Sequence, residues 1–168
     1  MEAEKHVKDL MIPLQDYPHI PHWFTIRQAM AIVREAAIKF EGSFEPRAIL
    51  VFDEKYRLMG ILTLLDMIKG LEPKLIADAG LAGQESDAAG YIDALFGPHL
   101  KEKAQRPVNE VMSPIRVTIN GNAHINQALA LMIKENLVRI PVTEDERVTG
   151  MIRLGDLFIE VTRVVLGD

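Results

Sequence analysis

The hydrophobic and polar residues of this chain change their spacing several times, and each change predicts the boundary of an element. From Ile125 onward, apolar side chains recur at helical spacing at Leu129, Met132 and Ile133. That spacing places them on one face of an amphipathic helix. Asn136 interrupts the pattern, so we expect the helix to end there.

Two short apolar runs follow this helix. Residues 139–142 and 148–152 are rich in Val and Ile, and residues 143–147 between them are polar. Such runs on either side of a polar turn are typical of a β-hairpin. The first half of the chain has the same arrangement, with apolar runs at residues 48–52 and 57–62 around a turn at residues 53–56.

The chain also repeats itself, and this is the most informative feature of the sequence. Three segments of the first half recur in the same order in the second half, but the first copy is longer at two places. Insertions between elements belong in loops, so we expect the extra residues in Tyr17–Trp23 and Phe40–Pro46. The matched segments are Val7–Pro13 with Val108–Pro114, Ile26–Ala31 with Ile125–Ala130, and Gly60–Asp66 with Gly150–Asp156.

The two copies predict the domain organisation. Each has the order βαββα, so we predict a mixed α/β (α+β) protein with repeats at residues 5–70 and 106–166 and a connector at residues 71–105. A unit of this size buries only about 60% of its unfolded surface, so the repeats should complete a core by packing sheet to sheet. The connector should be partly helical and packed, because several of its apolar residues follow helical spacing. These residues are Tyr91, Ile92, Leu95 and Phe96.

Composition narrows the class of protein. The chain has no cysteine, so a disulfide framework and a thiolate nucleophile are excluded. A formal net charge of -5 without a run of Lys and Arg argues against a nucleic-acid partner. The most apolar segment, Leu58–Ile68, is too short to span a bilayer and contains Asp66, and the amino terminus lacks an apolar signal sequence. We therefore expect a cytoplasmic protein that binds neither nucleic acid nor a membrane.

Motifs of the common enzyme classes are absent from the sequence. It contains no Gly-x-x-x-x-Gly-Lys-Ser/Thr loop, no Gly-x-Ser-x-Gly elbow and no His-Glu-x-x-His pair. Asp66 and Asp156 recur at equivalent positions, but they lie in different repeats, where nothing pairs them as acid and base. We predict that the protein is not an enzyme and has no catalytic cofactor.

The ordered motifs resemble the CBS domain, the cystathionine-β-synthase-type repeat that occurs in pairs. The resemblance rests on the Val-x-x-x-Met-x-Pro segments, the Gln-Ala helix starts, the Arg139–Val142 strand and the segments that run from glycine to aspartate. It implies two repeats about a pseudo-two-fold axis, with clefts between their sheets that hold AMP, ADP, ATP or a related adenosyl compound. It also implies a homodimer. We expect a regulatory module that signals in trans to an unidentified protein partner.

The resemblance implies roles for individual residues. Asp66 and Asp156 would each accept hydrogen bonds from the two ribose hydroxyls, and Thr63 would contact phosphate. The chemistry agrees, because an ionised carboxylate is an acceptor with two oxygens and matches two adjacent hydroxyl donors. Capping of a helix is the alternative role for either aspartate. The predicted ligand contacts also include the apolar residues Ile61, Leu62, Met151 and Ile152.

The second copy departs from the family pattern at Arg153, where a Ser or Thr is usual. A guanidinium can hold a phosphate with two hydrogen bonds, or it can fold into the cleft and block it, and both alternatives stay open here. In the first copy, Leu50 stands where Pro141 stands in the second. We therefore expect unequal clefts, with the principal site at Thr63 and Asp66. An interaction scaffold whose clefts hold no ligand is the alternative function.

Three histidines suggest a metal site at first sight. His19 and His22 lie three residues apart in a proline-rich segment, and His124 lies at a related place in the second copy. A structural zinc site needs four ligands, and the pattern indicates no further ones. We expect surface histidines and no metal.

Overall fold

The structure is a computed structural model, and it describes residues 4–39, 48–71 and 97–167. The chain divides into two compact units. The central unit is Pro18–Pro114, and the terminal unit combines Met1–Tyr17 with Ile115–Asp168.

Strands and helices follow one another as the repeat predicts. The strands are β1 Ile12–Pro13, β2 His19–Pro21, β3 Ala48–Phe52, β4 Leu58–Thr63, β5 Ser113–Pro114, β6 Ile119–Asn120, β7 Arg139–Glu144 and β8 Arg147–Arg153. The helices are α1 Val7–Leu10, α2 Ile26–Lys39, α3 Leu64–Leu71, α4 Leu100–Lys103, α5 Ile125–Glu135 and α6 Leu154–Leu166. The order βαββα is therefore confirmed in both copies, as β2-α2-β3-β4-α3 and β6-α5-β7-β8-α6.

The central unit contains a mixed four-stranded sheet in the order β2-β3-β4-β5. Strand β2 is parallel to β3, and the other two pairs are antiparallel. All five residues of β3 are buried, as its unbroken apolar sequence and interior place in the sheet require. Helices α2 and α3 contribute Ile26, Val33 and Met67 to the core beside this sheet.

The terminal unit repeats this arrangement with strands β1-β8-β7-β6. Strand β6 is parallel to β7, which forms a hairpin with β8. Asp145 and Glu146 form the turn with positive φ angles of 49° and 63°, typical of a two-residue hairpin loop. The strands consequently extend further into residues 143–147 than the polar pattern predicts. The mixed α+β fold class is confirmed by the two sheets and their helices.

Each sheet takes an edge strand from the segment that leads into the other copy. Strand β1 precedes β2 in sequence but pairs with β8, and β5 precedes β6 but pairs with β4. The compact units therefore divide the chain at other points than the boundaries 5–70 and 106–166, which follow sequence similarity and stay a prediction. The predicted packing of sheet on sheet also stays a prediction.

Two equivalent glycines allow these edge strands to approach closely. A Cβ atom on Gly60 would lie 2.6 Å from Met112 Sδ and 2.7 Å from the Ser113 carbonyl oxygen. On Gly150 it would collide with the Ile12 carbonyl oxygen. These approaches explain why the segment that ends in aspartate starts with glycine in both copies.

Helix α5 ends as its sequence predicts. Asn136 adopts a left-handed conformation with φ 54° and ψ 51°, and its N–H donates to carbonyls of the last turn. Asparagine tolerates this conformation better than most residues with a Cβ. The predicted end of the helix at Asn136 is confirmed.

Helix α6 exposes several large apolar side chains. Phe158, Val164, Val165 and Leu166 are 61–73% exposed, whereas Leu157 is fully buried in the core. Despite this apolar content, α6 and the other helices of the described residues are too short or too polar to cross a membrane.

The predicted insertions and connector have different outcomes. Tyr17–Trp23 is not one loop, because it contains strand β2, whose residue Ile20 pairs with Val51. The longer spacing is taken up before β2, where Leu14–Asp16 forms a 3-10 turn. Phe40–Pro46 and most of the connector, including its predicted helical stripe, lie outside the described residues. The described end of the connector contains the short helix α4.

Candidate functional site

In the central unit, three polar side chains meet where β4 passes into α3. We call Thr63, Asp66 and Ser113 the central site. The Thr63 N–H donates to Asp66 Oδ2 at 2.9 Å, and the Asp66 N–H donates to Thr63 Oγ1 at 3.1 Å. The Ser113 hydroxyl donates to the other carboxylate oxygen, Oδ1, at 3.0 Å. Asp66 is a charged residue that is nevertheless buried, with only 8% of its surface exposed.

The mutual hydrogen bonds of Thr63 and Asp66 form a capping box at the first turn of α3. In this arrangement the side chain of the capping residue accepts from the backbone N–H of the third helical residue, and the side chain of that residue accepts from the backbone N–H of the cap. The alternative role of Asp66 as a capping residue is therefore observed. That role uses one lone pair of Oδ2 and does not exhaust the carboxylate.

Sequence reasoning missed Ser113. It lies on β5, where it pairs with Ile61 of β4, and this register brings its hydroxyl to Asp66. The signal lay in the repeated Met-x-Pro segment, because its middle residue differs between the copies. The contact itself needed the strand pairing, which crosses the sequence repeats.

The hydrogen bonds of Asp66 leave acceptor capacity on both oxygens. A carboxylate has about four acceptor positions, and the donors that reach Asp66 in the described residues are one N–H and one O–H. Both of these donors are neutral. The carboxylate of Asp66 can therefore accept hydrogen bonds from two further donors.

The terminal unit has an equivalent arrangement with different chemistry, which we call the terminal site: Ile12, Arg153 and Asp156. The Arg153 backbone N–H donates to Asp156 Oδ2 at 3.2 Å, as in a capping box. Its guanidinium also binds the carboxylate, with Nε 3.0 Å from Oδ2 and Nη2 2.7 Å from Oδ1. The two side chains are 27% and 17% exposed. Asp156 is thus held by a two-pronged ion pair.

Ile12 occupies the place of Ser113 in this second arrangement. It pairs with Met151 of β8, as Ser113 pairs with Ile61 of β4. Its side chain has no hydroxyl to offer the carboxylate. In the terminal site, Arg153 Nη2 thus donates to Oδ1 as the Ser113 hydroxyl does in the central site.

The apolar residues predicted to contact a ligand are placed differently from one another. Ile61 is half-buried, whereas Leu62, Met151 and Ile152 are fully buried. Leu62 and Ile152 belong to the cores of their units. Their roles as ligand contacts stay predictions.

The three histidines have separate surroundings. His22 Nε2 lies 2.7 Å from Glu54 Oε1, and this hydrogen bond holds the pKa of Glu54 below its ordinary value. His19 packs edge to face on Phe52, and His124 Nδ1 accepts from a backbone N–H at the start of α5. Within residues 4–39, 48–71 and 97–167, no group of three His, Asp or Glu side chains could hold a metal ion.

Comparison with known proteins gives similarities of sequence and of fold. Residues 108–163 match the family model of the CBS domain. The chain is 26% identical over 125 residues to the uncharacterized protein YlbB of Bacillus subtilis (strain 168). The aligned residues cover 74% of this chain and 67% of that protein.

Solved structures with the same fold cover almost the whole chain. The structure of CBSX2 in complex with AMP has a TM-score of 0.62 at 16% identity, with 95% of this chain and 98% of that chain covered. The cytosolic domain of the Mg²⁺ channel MgtE in complex with ATP also has a TM-score of 0.62, at 21% identity. That match covers 94% of this chain and about half, 49%, of the other. At these identities the likeness concerns the fold.

Proposed function

We propose that this chain, whose residues 108–163 are a CBS domain and whose fold is shared with solved CBS proteins, is a regulatory module that binds an adenine nucleotide. The ligand is of the AMP, ADP and ATP class. Binding changes the conformation that a separate protein partner recognises, and the module itself performs no catalysis. The proposal also places the protein in the cytoplasm.

The central site carries this proposal. Asp66 offers acceptor positions on both oxygens, and its first two positions are satisfied by Thr63 and Ser113. Ribose presents two adjacent hydroxyls, which can donate one hydrogen bond to each oxygen. Hydrogen bonds to a charged acceptor contribute about 1.5–3 kcal/mol each. A buried carboxylate that is already oriented loses little entropy when the ligand arrives.

Proteins of this fold support the choice of ligand. CBSX2 has been solved with AMP and the MgtE cytosolic domain with ATP. AMP and ATP share the adenosine group, and the proposal for this chain rests on that group. Thr63 is the proposed phosphate contact, and the backbone at Ile61 and Leu62 runs beside the site.

The first experiment is a calorimetric titration of the wild-type chain with AMP, ADP, ATP and S-adenosylmethionine. We expect binding, and we expect Asp66→Ala to weaken it about tenfold or more because charged hydrogen bonds to ribose are lost. Asp66→Asn is the matched variant, since its carbonyl oxygen still accepts from the Thr63 N–H and preserves the cap.

Two results would refute the proposal. The first is no binding of any of the four ligands at millimolar concentration. The second is unchanged binding by both Asp66 variants in protein that melts cooperatively. A scaffold without ligand would then be the better function.

The exposed face of α6 favours a second role, association of two copies. Phe158, Val164 and Val165 are each more than 60% exposed. Apolar residues grouped on one helix often mark a contact between proteins. We propose that two copies of the chain form a homodimer. Light scattering in the presence and in the absence of nucleotide measures the molecular mass and tests this.

A further inference from the structure

In the terminal site, the carboxylate that would bind ribose is already occupied. Arg153 contacts both oxygens of Asp156, at 3.0 and 2.7 Å, in addition to the backbone bond at 3.2 Å. These side-chain bonds join opposite charges in a half-buried place. Charge-assisted, two-pronged pairs of this kind are stronger than bonds from a neutral hydroxyl.

A nucleoside cannot compete well for this carboxylate. Its ribose offers only neutral hydroxyl donors, so binding would exchange charged hydrogen bonds for weaker ones. The displaced guanidinium would also give up its ion pair with Asp156, and breaking an ion pair in a half-buried place is costly. A ligand without phosphate thus gives Arg153 nothing in return.

A phosphate changes this balance. It offers Arg153 an anionic partner that accepts two parallel hydrogen bonds, as the carboxylate does. When Arg153 turns to the phosphate, both oxygens of Asp156 become available to the ribose. Arg153 occupies the register position that Thr63 occupies in the central site, where the proposed phosphate contact lies.

We infer that Arg153 is a gate that makes the terminal site specific for phosphorylated adenine compounds, whereas the central site also accepts the nucleoside adenosine. This inference rests on the proposed function. It assigns Arg153 as the residue that determines specificity. The two sites of one chain then respond to different sets of ligands.

The test isolates each site by removing the aspartate of the other. Asp66→Ala leaves the terminal site, and Asp156→Ala leaves the central one. Each variant is titrated with adenosine, AMP and ATP. We expect the Asp66→Ala protein to bind AMP and ATP but not adenosine at millimolar concentration, and the Asp156→Ala protein to bind all three.

A substitution of Arg153 then tests the gate itself. Arg153→Thr recreates the Thr63–Asp66 capping box, so the start of α6 is preserved. In the Asp66→Ala background it should give adenosine binding and lower the ratio of AMP to adenosine affinity about tenfold or more, because the guanidinium no longer competes for Asp156. The reciprocal control, Thr63→Arg in the Asp156→Ala background, should reduce adenosine binding at the central site.

The outcomes separate this inference from the proposed function. If the wild-type chain binds no adenine compound, both are wrong. The inference alone is overturned if the Asp66→Ala protein binds adenosine as tightly as AMP, or binds none of the three while the Asp156→Ala protein binds. It is also overturned if Arg153→Thr changes adenosine and AMP affinity by the same factor. Melting curves establish that each variant is folded.

Discussion

The central and terminal sites have the same backbone but differ in what they leave available to a ligand. In both, an aspartate in the first turn of a helix accepts the N–H of the last strand residue. In the central site the other donor is a serine hydroxyl from an edge strand, and in the terminal site it is a guanidinium from the strand end. Among the described residues, the donors to Asp66 are therefore neutral, whereas Asp156 is paired with a cation.

The difference shows that the same backbone setting can leave an aspartate with different side-chain partners. Capping the helix needs only one acceptor position, and both aspartates satisfy it. In the proposed function, ligand binding depends on the remaining acceptor positions, which Ser113 contacts in one unit and Arg153 contacts in the other. The two sites thus differ at two equivalent positions. The edge strand carries Ser113 or Ile12, and the residue before the helix is Thr63 or Arg153.

The largest expected effect tests what the two units share, the close approach of an edge strand to a glycine. Gly150→Ala should lower the free energy of unfolding by about 1–3 kcal/mol, because the new methyl group collides with the rigid Ile12 backbone. Gly60→Ala should cost less, since its contact with a backbone oxygen, the Ser113 carbonyl at 2.7 Å, is less close than the contact of Gly150 with the Ile12 carbonyl. Urea unfolding followed by circular dichroism measures both.

Gly155→Ala is the matched control for these two glycines. It lies in the first turn of α6, and a Cβ atom there would meet nothing within 4 Å. Alanine favours a helix over glycine by up to about 1 kcal/mol, so stability should stay constant or rise. Equal losses at Gly155 and Gly150 would contradict the importance of the edge-strand contact.

A smaller effect is expected from Ser113, which distinguishes the two sites. Ser113→Ala removes one hydrogen bond to a buried carboxylate and should lower the free energy of unfolding by about 1–2 kcal/mol. Nucleotide affinity at the central site should also fall, because Asp66 is less firmly oriented. Ser113→Thr keeps the hydroxyl and is the control in both measurements.

The reverse substitution sharpens the same comparison. Ile12→Ser places a hydroxyl at the equivalent register in the terminal unit. While Arg153 holds both oxygens of Asp156, the new hydroxyl should not improve ligand binding. Together with Arg153→Thr it should produce a second site of the central kind, which would appear as a second adenosine equivalent in calorimetry.

Much of the fold could be predicted from the sequence because the repeat states its pattern twice. Helix α5 and both hairpins follow from local periodicity, and Asn136 marks a helix end with a local conformation. The pairing of β1 with β8 and of β5 with β4 could not be predicted, because it joins segments that belong to different repeats. Strand β2 could not be predicted for a different reason, because its proline and histidine residues are typical of loops.

The candidate site shows the same division. Thr63 and Asp66 could be found, because their hydrogen bonds join residues three apart in sequence. Ser113 could not, because it reaches Asp66 only through the strand pairing. For Arg153 the sequence left two alternatives, a contact with phosphate or a block of the cleft, and in the structure the guanidinium contacts Asp156. Which partner it takes when phosphate is present is the subject of the gate hypothesis.

The smallest expected effect concerns pH and a contact of the terminal unit alone. A hydrogen bond from Lys5 Nζ, which joins the amino-terminal segment to α6, holds the pKa of Glu160 below its ordinary value. A carboxyl whose pKa is lowered by folding stabilises the protein above the unfolded pKa of about 4.3, and this contribution is lost as the pH falls through the lowered value. Glu160→Gln should therefore melt below wild type at pH 7, and the difference should shrink as the pH falls below the unfolded pKa of about 4.3. In the central unit, Glu54→Gln should change little at either pH, because that carboxyl lies in an exposed turn. A wild-type advantage over Glu160→Gln that persists unchanged at pH 3 would show that packing, rather than charge, holds the amino-terminal segment on α6.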